Sequence, residues 1–138
     1  MVRDYMHWYE MNFRALSGHV RPQNLAFIDA KNTVLIIRNF RLPENFSQCS
    51  TNLMIIFPTR DKVFHVKPDR FYVNPRLRLR NSKRPEHIFE ESSYNDQRKK
   101  GWARFSFHLH TWKPTRDVFS GTTIYDLLDA IYRGLGQL

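Results

Sequence analysis

The chain has 138 residues, with 22 Lys and Arg against 13 Asp and Glu for a formal charge of +9, and 14% of its residues are aromatic. This length corresponds to one domain, and so aromatic a composition excludes a disordered basic tail. One cysteine, Cys49, excludes a disulfide-framed domain, and no apolar run approaches the roughly 18 residues that a membrane-crossing helix needs.

In chain order, the first predicted element is a helix over residues 4–16, within an N-terminal region of residues 1–18. Asp4 stands at its start, Met6, Tyr9, Phe13 and Leu16 recur at helical spacing, and Gly18 can close it. Met1 to Trp8 has neither the apolar stretch nor the small-residue cleavage site of a signal peptide, so the expectation is a cytoplasmic protein without membrane contact. Period-2 segments follow. Leu25, Phe27 and Asp29 oppose Ala26 and Ile28, and Asp29 to Asn32 reads as a turn before Val34 to Arg38. Pro43 marks a loop, and Thr51 to Phe57 reads as a strand that stops at Pro58. A fourth strand, Arg70 to Val73, stands between Pro68 and Pro75. Short neighbouring strands with tight connections favour an antiparallel meander.

Residues 81–101, with Pro85 and Gly101, read as a long loop of the kind that carries function. Alternation resumes from Trp102 to Trp112. It puts Trp102, Arg104, Ser106, His108 and His110 on one face, with Ala103, Phe105, Phe107 and Leu109 on the other. The C-terminal helix is the clearest element, capped by Thr122 or Thr123 and striped by Ile124, Leu127, Leu128, Ile131 and Leu135. The whole reads as a single α+β domain over residues 1–138: helix, four-stranded antiparallel meander, long loop, short extended segment, helix.

Several short motifs occur in a recognisable order. Phe57-Pro58, Val63-Phe64, Lys67-Pro68 and Phe71-Tyr72 are followed by Trp112-Lys113-Pro114 and the helix after it. With Asn39 to Pro43 and Gly101 to His108, this run from about Asn24 to Leu135 resembles a bacterial ubiquitin-conjugating-enzyme-like protein of the prokaryotic family E type. The resemblance implies the ubiquitin-conjugating (UBC) fold, with an active-site-like loop before the last helix. It also implies work on a ubiquitin-like modifier received from an activating enzyme, beside a metal-dependent deconjugating peptidase. The family's catalytic cysteine would fall near Arg104 to Ser106, where this chain has none. Asn95, in Tyr94-Asn95-Asp96, stands roughly where the family has its oxyanion-stabilising asparagine. The expectation is a protein that transfers the modifier to an amine, or positions it as a non-covalent adaptor, without ordinary cysteine thioester chemistry.

On this reading His108 is the first catalytic candidate, with His110 and Asn95 beside it: an imidazole can take a proton from an attacking amine near neutral pH, and an amide can steady developing oxyanion charge. Two imidazoles at i, i+2 could also hold a metal, and a metal-dependent hydrolase is a rival reading. Two ligands are too few for a closed zinc site, however, and neither a metal nor a cofactor is expected. Cys49 has no cation or helix N-terminus near it in sequence to activate a thiolate, so it reads as a passive loop or strand-edge residue. Residues 60–104 hold 13 basic and 6 acidic side chains, most of the net charge. Arg76, Arg78 and Arg80, alternating with Leu77 and Leu79, read as a half-buried strand presenting three guanidinium groups to an acidic partner. With Lys83, Arg84, residues 98–100 and an aromatic ring at Trp102 or Tyr94, the same stretch could bind nucleic acid, the other rival reading.

Overall fold

A computed structural model describes residues 4–27, 34–89 and 101–138. Helix α1 covers Asp4–Leu16 and helix α2 Ile124–Gly136. Between them run the strands β1 (Leu25–Phe27), β2 (Val34–Arg41), β3 (Ser50–Ile56), β4 (Arg70–Val73), β5 (Ile88–Phe89) and β6 (Ala103–Phe105). They form one antiparallel sheet in the order β1-β2-β3-β4-β6-β5. The predicted four-strand meander is therefore present, and the last two strands extend it beyond β4. Phe71, Tyr72 and Val73 pair with Phe105, Arg104 and Ala103, in the stretch read as alternating, and Ile88 and Phe89 pair with Phe105 and Arg104, so part of the stretch read as a long loop is built into the sheet. The turn read at Asp29 to Asn32 lies outside the described residues.

Register decides which side chains face the helices. Leu35 and Ile37 of β2, Leu53 and Ile55 of β3, Phe71 and Val73 of β4, and Phe105 of β6 point to the helical side and join the main core. From α2 that core receives Ile124, Leu127, Leu128, Ile131 and Leu135, the stripe read from the sequence. Helix α1 differs in detail: Trp8, Tyr9, Asn12 and Leu16 are its buried residues, while Met6 is exposed. Spacing alone admits either set, because both follow a 3–4 residue step, and the larger apolar surface of Trp8 wins the core-facing position. Trp8 is fully buried, edge-on to Tyr9, Phe57 and Trp112.

Asn12 is buried for a polar reason. Its amide nitrogen donates to the Trp8 carbonyl (2.8 Å), and its side-chain oxygen accepts from the Ile124 N–H (2.7 Å). That N–H is one of the groups a helix start leaves without an intrahelical partner, so α1 caps α2 across the core. Thr123 and Asp126 complete the cap with a reciprocal pair of side-chain to backbone hydrogen bonds.

The opposite sheet face is apolar as well. Val34, Ile36, Met54, Ile56 and Tyr72 are buried there, and Trp102 packs on them half-buried. Residues 34–37 and 53–56 thus bury both parities of their side chains, which is why they read as continuous apolar runs. Beyond Ile37 the register shifts, and Asn39 adopts φ +57°, a left-handed conformation that asparagine tolerates well.

Candidate functional site

After Phe105 the chain leaves the sheet and runs alongside α2. Phe107 lies against Gly134, and Lys113 lies against Gly121 and Thr122. A Cβ at Gly134 would stand 2.6 Å from a Phe107 ring carbon, so glycine lets the helix approach this closely. Lys113 and Thr122 clip the other end: the Lys113 N–H donates to Thr122 Oγ1 (2.9 Å) and the Thr122 N–H to the Lys113 carbonyl (3.0 Å). Trp112 turns inward, donating its indole N–H to the Val63 carbonyl at 2.7 Å. These contacts hold an otherwise irregular segment at a fixed distance from the helix.

The space between them is a groove of about 780 Å³. Its floor is Phe107, Leu109, Leu127 and Ala130, and its polar rim includes His110, Lys113, Asp126, Asp129 and Arg133. The rim carboxylates are engaged. Asp126 accepts from Thr123, and Asp129 pairs with Arg133 at 2.9 Å. An apolar floor with a few polar groups at the rim suits an extended peptide segment.

The predicted alternation over 102–110 survives as burial, although only residues 103–105 form a strand. Ala103, Phe105 and Leu109 are buried, whereas His108 and His110 are exposed. The two histidines part company beyond that. His110 lines the groove, while His108 does not. Asn95 lies outside the described residues. Cys49 is exposed in the loop before β3 and is absent from the groove lining. Among the described residues no three His, Cys, Asp or Glu side chains gather as metal ligands would.

The arginine strand needs correcting. Residues 76–80 form a loop touching the sheet system at one bridge, Leu79 opposite Phe46. Pro75 removes a backbone donor at its start, and Arg76 takes φ +65°, so a ladder cannot propagate. The backbone pairs instead with the loop after β2: Ser47 N–H donates to the Arg78 carbonyl (2.9 Å) and Arg80 N–H to the Asn45 carbonyl (2.9 Å). Asn45 in turn donates to the Leu135 carbonyl at 2.9 Å, which ties this double loop to the end of α2. Arg76 and Arg80 are exposed. Arg78 is half-buried and donates to the Leu77 carbonyl, and the Arg80 guanidinium donates to the Glu44 carbonyl. Trp102, grouped with them in sequence, packs on the outer sheet face.

The sequence reading did not single out Arg133 or Asp129, which reach the groove from α2, or Lys113. The helical period carried a usable signal, because Asp126, Asp129 and Arg133 fall on the same side of α2 at steps of three and four. No helix is long and apolar enough to cross a membrane among the described residues. A model of the prokaryotic E2 family E matches residues 19–132, most of the chain. No curated protein and no solved structure matches it.

Proposed function

The chain belongs to the prokaryotic E2 family E, and from that premise we propose that it carries or positions a ubiquitin-like modifier received from an activating enzyme, without a cysteine thioester of its own. The observation that carries this reading is the groove along α2. It has an apolar lining and a histidine on its rim, and the chain's one thiol does not line it. An extended modifier tail would lie on Phe107 and Ala130, the part-exposed apolar residues of the lining. In transfer, an acceptor amine attacks the activated carbonyl at the end of that tail. The C–N amide bond forms, the carbonyl's bond to the sulfur of the activating enzyme breaks so that its thiolate leaves with the electron pair, and an imidazole takes the amine proton. His110 is the base nearest the groove in this reading, with His108 the neighbouring candidate, and Asn95 keeps the oxyanion-steadying role that the resemblance gives it.

Mixing the protein with activating enzyme, modifier and ATP should yield no thiol-reducible adduct. A conjugate that reducing agent cleaves, and that Cys49→Ser abolishes, would overturn the proposal.

The basic double loop is assigned to steering an acidic partner surface. Arg76→Glu with Arg80→Glu should slow association with the activating enzyme about tenfold at low salt, with a smaller change in dissociation. Raising the salt to roughly 0.5 M should shrink the difference, because screening then acts within a few ångströms. Stopped-flow binding measures both rates. Unchanged association together with lost DNA or RNA binding would assign the loop to nucleic acid.

A further inference from the structure

His110, Thr111 and Lys113 also line a second hollow of about 470 Å³, together with His65, Lys67 and Trp112. Two segments far apart in sequence meet there. One follows the 3-10 turn Arg60–Phe64, and the other is the run clipped to α2. The Lys67 ammonium donates to the Leu109 carbonyl at 3.1 Å, and the Trp112 indole holds Val63 just upstream, so both walls are fixed to each other. We infer that this hollow is an oxyanion site that takes a phosphate group.

The charge pattern supports the assignment. Among the described residues the lining includes Lys67, Lys113, His65, His110 and Thr111, and no Asp or Glu. Asp61 and Asp69, the acidic residues flanking His65 in sequence, do not line it. On the far side of His110, Asp126 and Asp129 face the other groove and are occupied by Thr123 and Arg133. Asp117, further along the same run, accepts from the Ser120 hydroxyl at 2.6 Å. With the groove carboxylates nearest His110 and Lys113 already held by Thr123 and Arg133, the basic side chains of the hollow form a field of one sign, which an anion relieves. Lysine binds phosphate as a point charge, an imidazole ring adds a directed N–H donor, and the Thr111 hydroxyl can supply another. The exposed setting favours a small, doubly charged, hydrated group over an apolar ligand.

The probes are inorganic phosphate and, separately, sulfate. Both should shift the His65 and His110 imidazole signals saturably in NMR titrations. Lys67→Gln and Lys113→Gln should each weaken binding about five- to tenfold, the size expected for one charge-assisted contact at an exposed site. No saturable shift, or shifts of equal size in the Lys67→Gln, Lys113→Gln double variant, would each overturn the inference. Binding is read without activating enzyme or modifier, so failure here leaves the transfer reading untouched, and the reverse holds too.

Discussion

His110→Ala should lower the rate of modifier transfer to an amine about a hundredfold or more, the usual effect of removing a general base. The side chain is exposed and contributes no packing to the core, so melting temperature should stay within a degree or two. His108→Ala should cost less, because that imidazole does not line the groove along α2. Single-turnover assays with excess activating enzyme separate the chemical step from partner binding. The reading also demands that the loss shrink as pH rises, when the acceptor amine sheds its proton to water without help. Full activity in both histidine variants would remove the base from this part of the molecule.

Trp8→Ala should destabilise the fold by about 3–5 kcal/mol, the range for deleting a large buried aromatic side chain. Few side chains here have comparable reach. Trp8 is fully buried and meets Tyr9, Phe57 and Trp112 edge-on with ring centroids 5.1, 6.3 and 5.8 Å away. It therefore joins α1, the end of β3 and the segment that forms one wall of the groove. Against a typical total of about 5–15 kcal/mol, the variant should melt roughly 10–20 °C lower. Trp8→Phe should be much milder. The indole N–H has no hydrogen-bond partner among the described residues, so the smaller ring gives up area and also relieves a buried donor. Urea and thermal melts of the two variants test the pair, and a Trp8→Ala loss below about 1 kcal/mol would contradict this packing account.

Local chemistry explains what the sequence made legible. Arg70–Val73 is a strand between two prolines, and α2 shows an unbroken apolar stripe with a threonine at its start. Both are settled by residues within a few positions. Pairings at long range are a different matter. That β6 lies against β4 depends on the register of Phe71 with Phe105, which no local pattern encodes. Arg76 to Arg80 shows how alternation can mislead: a loop held by another loop also buries every second residue, here Leu77 fully and Leu79 in part. The histidine pair shows the same limit at the site. Period 2 puts His108 and His110 on one face, yet the strand has ended at Phe105, and only His110 opens onto the groove.

The hydrogen bond from Ile124 to Asn12 spans 112 positions of chain. Closing so long a loop costs entropy before any contact repays it, so this link belongs to the last stage of folding rather than the first. Until α2 arrives, the inward face of α1 has a buried asparagine without its acceptor role filled and a tryptophan without part of its enclosure. The two helices therefore become stable together, as one cooperative event. A lesion in either should be felt in both.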